Sequence, residues 1–525
     1  MVKSFKPTNY QIEIFKFIHF EKGNAVVEAV AGSGKTTTIV EAIKNLPGRS
    51  KRKIVFVAFN KHIAEELTKR LPTTVRSTTM HAMGLSWIRR ARNGAKPEID
   101  FYGKLVRKGL RDLILAGAGP ELKEQLELDK SFAKSFSQYC RTLSELVRLC
   151  KLNLAMTKES ISQVSFKYGF SELQENEFLL IEKYLANVIQ HPDLSNITFE
   201  DMVFFPAVGI VNVTKFDLIF IDECQDLNKA QQTCVSKMLD DGGRFIAVGD
   251  PYQAIYGFAG ADNLSFEEFS NKPNTIRLPL SECFRCAKDI VRFAKEIVPS
   301  IEYRHTSRDG YVRYGSYKEI RGDDYVLCRL NSLLVSLCLD LIRDGSNAKI
   351  LGSGVGEELI SLVQSQEATD ILQLILKLDG ELGHLKNVLL KSGLEESDIG
   401  SNNRYSELVE QVITIKVISE HCSHVDELIK RIESIFDPTK PGITLASIHK
   451  AKGLEARRVF ILGDALMPLK KATLDWQVKQ EFNLIYVAYT RAQEELIFIN
   501  DYDDHVTNTA NISRSLRLEE FLGQS

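Results

Sequence analysis

The chain has 525 residues, of which 44% are apolar and 26% charged, with a formal net charge of −2. At that length it can bury about three or four separate cores, and its near-neutral balance excludes a polycation that passively coats DNA. The nine cysteines, an odd number without regular spacing, fit a reducing compartment better than a disulfide framework. Met1-Val2-Lys3-Ser4-Phe5 lacks the apolar centre of a signal peptide, and no apolar run approaches the roughly 20 residues that cross a bilayer. A soluble, cytoplasmic protein without membrane contact is expected.

In chain order, Pro7-Thr8-Asn9-Tyr10-Gln11 precedes a helical stretch with Ile12, Phe15 and Ile18 at helical spacing. An apolar strand, Asn24-Ala25-Val26-Val27-Glu28, leads into the loop Ala29-Val30-Ala31-Gly32-Ser33-Gly34-Lys35-Thr36. A helix follows to about Leu46, with Ile39, Val40 and Ile43 on one side. Lys53 to Phe59 reads as a buried parallel strand and Asn60 to Leu71 as a helix. Thr78-Thr79-Met80-His81-Ala82-Met83 then opens a mainly helical region from Gly84 to His191. Within it, residues 86–160 hold fifteen Lys/Arg against nine Asp/Glu, an excess that suits either a nucleic-acid path or a solvated face. Strand character returns at Phe216–Ile221 and again at Arg244–Val248.

A second α/β pattern is expected from about Ile276, with strands at Tyr325–Cys328, Ile443–Ala446, Val459–Leu462 and Leu496–Ile499. Another helical stretch lies between about 346 and 440. Its last helix repeats Val425, Leu428, Ile429, Ile432 and Phe436 on one face, before the breaker Asp437-Pro438-Thr439-Lys440-Pro441-Gly442. The fold class predicted is α/β: two parallel-sheet lobes, each interrupted by a mainly helical insertion.

The chemistry starts at the loop. Backbone N–H groups at a helix N-terminus surround an anion, Lys35 can reach the β- and γ-phosphates, and the Thr36 hydroxyl can hold Mg²⁺. Strand–loop–helix context separates this from an inert glycine-rich turn. Asp222 and Glu223 end an apolar strand, where a Mg²⁺-binding carboxylate and a water-activating one are wanted for nucleoside triphosphate hydrolysis. Gln253, after Gly249-Asp250, can sense the γ-phosphate or position water. Charge developing on the transferred phosphoryl group needs further cations, for which Arg285 and Arg491 are candidates. Cys283-Phe284-Arg285-Cys286 has no second pair at metal-ligand spacing and is not expected to hold zinc.

The ordered set PTNYQ, AVAGSGKTTT, AFNKHIAEEL, TTMHAM, FIDECQD, VGDPYQAIYGFAGA, LSECFRC, TLASIHKAKGLE and NLIYVAYTRA resembles superfamily 1 helicases of the UvrD/Rep type, from residue 7 to residue 492. The wording around Asn60-Lys61 and Phe284-Arg285 is most similar to compact phage-type and F-box DNA helicases. The resemblance implies two RecA-like motor domains, 1A (1–85 and 192–275) and 2A (276–345 and 441–525). It also implies a helical insertion 1B (86–191) and a shortened 2B-like insertion (346–440), expected to leave the monomer less autoinhibited.

It implies ATP and Mg²⁺ as ligands, with Ala31, Gly32, Ser33, Gly34, Lys35, Thr36 and Thr37 around the phosphates and Thr36 and Asp222 at the metal. Gln11 would read the adenine edge, Phe284 would stack on the base, and Glu455 would contact the ribose or link the nucleotide to the DNA site. Arg285 and Arg491 would be arginine fingers, beside Lys35, Glu223 and Gln253. Phe59, His81, Tyr256, Phe258 and His449 match positions that meet single-stranded DNA, where stacking contributes about 1–3 kcal/mol per base whatever the sequence. Phe258-Ala259-Gly260-Ala261 departs from the family's Trp-Arg-Gly-Ala, which removes one polar link between the ATP and DNA sites.

The function so implied is an ATP-dependent DNA helicase and single-strand translocase, 3′→5′, working as a monomeric motor on single strands and single/double-strand junctions. Single-strand-binding or recombination proteins are possible partners, and the segment after Arg491 is expected to hold no nuclease domain. The alternatives are a translocase that strips bound proteins with little unwinding, and an ATP-gated clamp. Nothing in the sequence reads a 2′-hydroxyl, so RNA stays an alternative substrate.

Overall fold

The computed structural model describes residues 5–170, 173–257, 260–261, 264–391, 395–396, 399–420, 422–469 and 474–502. The chain forms two compact units: Met1–Ala29 with Gly34–Leu280, and Val30–Ser33 with Ser281–Ser525.

The first unit is laid out on strands β1 (Asn24–Ala29), β2 (Ile54–Ala58) and β3 (Val75–Thr79), followed after an insertion by β6 (Phe216–Ile221), β7 (Leu239–Gly249) and β8 (Thr275–Leu280). They pair in parallel in the order β3-β2-β6-β7-β1-β8. Two short strands flanking the insertion, β4 (Glu98–Asp100) and β5 (Asn196–Thr198), pair only with each other. Alternate residues of β2 serve opposite faces, as the two-residue strand period requires. Ile54 and Phe56 pack with Ile14, Ile39, Ile43 and Leu67 on one face. Val55 and Val57 pack with Met80, Trp87, Phe205 and Val235 on the other. Helices on both faces explain why these strands are near-continuous apolar runs.

The first insertion, from helix Lys104–Gly117 to helix Glu175–Gln190, has its own core around Leu110, Leu146, Val147, Ile161, Ile181 and Leu185. It is anchored by Lys151, whose Nζ donates to Asp201 Oδ1 at 2.7 Å in a site where both side chains are almost fully buried. Helix Met80–Ala91 approaches helix Asp201–Val208 so closely that a Cβ on Gly84 would stand 1.6 Å from the Met202 carbonyl oxygen.

In the second unit β9 (Glu282–Cys283) and β10 (Glu302–Tyr303) form a short parallel pair. The main sheet contains β11 (Tyr311–Gly315), β12 (Tyr325–Cys328), β13 (Ala348–Leu351), β14 (Ile443–Ser447), β15 (Ala456–Leu462) and β16 (Ala492–Ile499), parallel in the order β11-β16-β15-β12-β14-β13. Two expected boundaries shift. The second α/β pattern was expected from residue 276, but Ile276 lies in β8, which pairs with β1, so the first unit runs to Leu280. The second insertion was expected from residue 346, but β13 inside that range is a strand of the main sheet, paired with β14. Both are short edge strands whose assignment depends on a distant partner. No helix among the described residues is long and apolar enough to cross a membrane.

Candidate active site

In a parallel sheet all the strands end at one edge, and loops leaving that edge collect the polar groups. The first unit follows this rule. β1 ends at the phosphate loop, β6 at Asp222 and Glu223, and β7 at Asp250 and Gln253. Gly34 takes a left-handed conformation (φ 78°) before helix Lys35–Lys44, and Gly32 does the same (φ 67°), as a loop that turns its N–H groups inward needs. Lys35 Nζ lies 3.1 Å from Glu223 Oε2, and Thr36 Oγ1 donates to Asp222 Oδ2 at 3.2 Å. Glu223 holds a left-handed backbone (φ 50°), a strained conformation for a side-chain-bearing residue, at the end of β6. Gln225 Nε2 donates to Glu223 Oε2 at 2.6 Å, while its Oε1 accepts the Asp250 N–H at 3.0 Å. Gln253 Nε2 donates to Asp250 Oδ2 at 2.7 Å. One network therefore joins the ends of β6 and β7.

Electrostatics match. Burial, reinforced by Glu223, holds Asp222 well above the carboxylate range, and burial pushes Asp250 up to about 6. Burial works against the Lys35 charge, but Glu223, Asp250 and Asp222 together more than offset it, so the ammonium persists. Gln11 closes a capping box with Thr8 and donates through Nε2 to Thr38 Oγ1 at 2.9 Å. Its amide is thus pre-oriented one turn into the phosphate-loop helix. Thr37 Oγ1 accepts from Arg70 Nη2 at 3.1 Å.

The same edge carries aromatics. Phe59 directly follows β2 and is 41% exposed, unlike Phe56 at 1%, which packs in the core. Its ring stacks on Tyr256 with centroids 5.7 Å apart. His81, after β3, stacks on Phe199 at 4.2 Å, and Phe101 lies 5.8 Å beyond Phe199. Burial pulls His81 down to about 4, so its ring is neutral near pH 7 and offers a π-face rather than a charge. Phe258 and Ala259 lie outside the described residues.

In the second unit, Arg285 Nε pairs with Glu455 Oε2, and Arg285 Nη1 donates to the Thr490 carbonyl at 3.1 Å. Arg491 is buried, with Nε on the Val487 carbonyl (2.8 Å) and Nη1 on the Leu454 carbonyl (3.2 Å). Phe284 is 40% exposed and has the Arg304 guanidinium 4.5 Å from its ring centre. His449 is pulled down to about 3 by burial and by the cations Arg329, Lys450 and Lys452. The structure brings Lys35, Thr36, Asp222, Glu223 and Gln253 together in the first unit, and Arg285 with Glu455 in the second.

With this geometry in place, comparison with known families is decisive. The UvrD/REP helicase N-terminal domain matches residues 11–274, half of the chain, and the UvrD-like helicase C-terminal domain matches residues 361–501. The chain belongs to the UvrD/Rep helicase family. This UvrD-like chain is 25% identical to F-box DNA helicase protein 1 of Schizosaccharomyces pombe, over 90% of its own length and 55% of the relative's. It is 24% identical to the ATP-dependent DNA helicase UvrD2 of Mycobacterium tuberculosis (90% and 76%) and 23% to the ATP-dependent DNA helicase PcrA of Staphylococcus aureus (93% and 82%). It spans about half the length of the F-box DNA helicases it matches.

The UvrD-like site fits a Mg²⁺–nucleotide. The Ser33 hydroxyl is fully buried with no protein partner, an orphan that a phosphate oxygen would satisfy. The Thr36 hydroxyl and Asp222 carboxylate form the hard oxygen pair that Mg²⁺ takes. Residue-by-residue reading took Asp250 only as the context of Gln253, and assigned no role to Gln225, Arg70 or Phe199. Gln225 and Asp250 sat inside quoted motifs, FIDECQD and VGDPYQ, and a search for polar residues at strand ends would have flagged them. Phe199 and Arg70 had no local signal, because each is defined by a partner far away in sequence.

Proposed function

We propose that this chain is an ATP-dependent DNA helicase that moves 3′→5′ along single strands as a monomer, with Mg²⁺–ATP as fuel and single strands or single/double-strand junctions as substrate. The observation that carries it is the continuous network from Lys35, and from Thr36 by way of Asp222, through Glu223, Gln225 and Asp250 to Gln253, three residues before Tyr256, which stacks on exposed Phe59. The family and the named DNA helicases among its relatives support the same reading. A cytoplasmic location and the motor-domain and insertion assignment (1A/1B, 2A/2B-like) belong to this proposal.

The residues divide the work as follows. Lys35 neutralises the β- and γ-phosphates, and in moving onto them it leaves Glu223, which then accepts a proton from the attacking water. Thr36 and Asp222 hold Mg²⁺, which when bound supplies charge neutralisation at the phosphates. Gln253 orients water and, through the short span to Tyr256, passes the nucleotide state to the aromatics. Gln11 and Phe284 hold the base, Glu455 the ribose, and Arg285 and Arg491 stabilise charge on the transferred phosphoryl group. Phe59, His81, Tyr256, Phe258 and His449 stack on or face the strand, joined by Phe199.

The test is unwinding of 3′-tailed against 5′-tailed DNA duplexes with Mg²⁺–ATP at low salt. Opening of the 3′-tailed duplex alone is expected. Opening of the 5′-tailed duplex instead overturns the polarity, and ATPase stimulated by single strands with neither duplex opened turns the reading to protein stripping.

A further inference from the structure

The CxxC at Cys283–Cys286 flanks Arg285 and has no part in the chemistry above. Its two thiols are reduced, and the backbone brings them together: the Cys286 N–H donates to Cys283 Sγ at 3.4 Å. Burial pushes the thiols of Cys150, Cys234, Cys328 and Cys338 up to about 12, as expected of inert core cysteines. Cys283 goes the other way. The Cys286 thiol first, then the backbone N–H groups of Cys286 and Arg285 and the Arg285 charge, hold it below its ordinary value, while Cys286 is raised by the Cys283 thiol.

Two further observations bear on reach and consequence. Cys286 lines a pocket of about 280 Å³ with Phe284, Arg285, Arg304, Thr306, Ser307 and Arg308, so a small solute reaches the Cys286 side of the pair, with Cys283 fully buried behind it. Cys286 Sγ also shares an acceptor with Arg285: the Thr490 carbonyl takes Cys286 Sγ at 3.7 Å and Arg285 Nη1 at 3.1 Å. Among the described residues no group of three or more metal-ligating side chains includes this pair.

We propose that Cys283 and Cys286 are a redox-modification site, closed to a disulfide by hydrogen peroxide, and that closure switches off the ATPase by locking Arg285 against Glu455 and Thr490. The consequence for activity rests on the reading of Arg285 as an arginine finger; the disulfide does not. The Cys283 thiolate attacks one peroxide oxygen, the O–O bond breaks, and the departing hydroxide takes a proton and leaves as water, giving a sulfenic acid. The Cys286 sulfur then attacks Cys283 Sγ, the S–O bond breaks, a second water leaves, and the S–S bond forms. Two thiols and one peroxide become one disulfide and two waters. Closing a bond of about 2.05 Å between the two sulfurs tightens the turn bearing Phe284 and Arg285. It also takes Cys286 off the Thr490 carbonyl, leaving that oxygen to Arg285 alone.

The experiment treats the full chain with hydrogen peroxide, locates the product by intact mass and peptide mapping, and follows single-strand-stimulated ATPase before oxidation, after it, and after dithiothreitol. The expected product is two hydrogens lighter and maps to Cys283–Cys286. ATPase falls at least about tenfold, as loss of a charge-stabilising donor predicts, and returns with the reductant. Cys283→Ser and Cys286→Ser each form no such bond and keep their ATPase through the treatment. Failure to map the bond, or a mapped bond with unchanged ATPase, overturns the switch. Arg285→Ala, assayed alongside, separates the two ideas: if it retains full ATPase while the disulfide maps, the finger reading has failed and the modification site stands.

Discussion

The two units share an architecture and differ in what it is used for. Each has a six-stranded parallel sheet interrupted by helices. In the first, the strand ends carry Lys35, Asp222, Glu223, Asp250 and Gln253, and the helical insertion keeps a core of its own. In the second, helices Ser353–Ser365, Ile371–Lys391, Asn403–Ser419 and Val425–Ile435 bury Leu359, Leu374, Leu378, Ile415, Leu428 and Ile432 in one core with Leu333 and Leu337 of helix Asn331–Arg343, Val326 of β12 and Ile350 of β13. The first insertion keeps most of its buried apolar side chains in a separate core, and only Leu152, at the end of helix Lys130–Asn153, is buried in the sheet's core. An insertion that completes the sheet's core cannot move without exposing apolar side chains to water. The short second insertion is therefore part of its lobe.

The contrast at the strand ends is the largest. Glu223→Gln should lower single-strand-stimulated turnover by about 10²–10⁴-fold while nucleotide binding persists. Substantial residual turnover in a coupled ATPase assay would reject Glu223 as the base and remove the main chemical difference between the sheets. Next in size is the anchor of the first insertion. Lys151→Met leaves Asp201 buried without its cation and should cost about 3–5 kcal/mol in urea unfolding, most of it recovered when Asp201→Leu is added. No recovery in the double variant would mean that the pair does not act as a unit.

The seating of the insertions is separated by a matched pair of cavities. Leu374→Ala and Leu146→Ala should each cost about 2–5 kcal/mol. Hydrogen exchange should then quicken in β12, β14 and β15 for Leu374→Ala, but stay unchanged in β1, β2 and β6 for Leu146→Ala. Equal spread into both sheets would erase the distinction. On the first unit's aromatic edge, Phe199→Ala should weaken single-strand binding by about 1–3 kcal/mol, equally for different base sequences, as read by fluorescence anisotropy.

A last effect is with pH. His449 titrates at about 3 in the folded chain against an ordinary 6.5, so on acidification the unfolded chain takes up the proton first. Stability is intact above about 6.5 and declines as pH falls towards 3. His449→Asn should flatten that part of the Tm profile, and an unchanged slope would place the acid sensitivity elsewhere.

Much of this was legible locally. The run Phe216–Ile221 is a strand with those bounds in the structure, and Tyr325–Cys328 likewise, because buried parallel strands are apolar on both faces and need no partner to be recognised. β8 and β13 were assigned to the wrong side of a boundary because a six- or four-residue edge strand is defined by its neighbour, here β1 and β14. Likewise Lys35, Thr36, Asp222, Glu223 and Gln253 were visible as residue types after strands, whereas Gln225 as the bridge to Asp250, and Phe199 as the partner of His81, became visible only in three dimensions.

What the amino-acid order determined by itself is the period of each element, the loop chemistry at Gly34-Lys35-Thr36 and the family, since these depend on neighbours within a few residues. What only the tertiary structure decided is which side chains share an acceptor, a ring face or a core. Arg285 meets Glu455 across 170 positions and Lys151 meets Asp201 across 50. Packing at close to crystal density sets such meetings, and no local pattern encodes them.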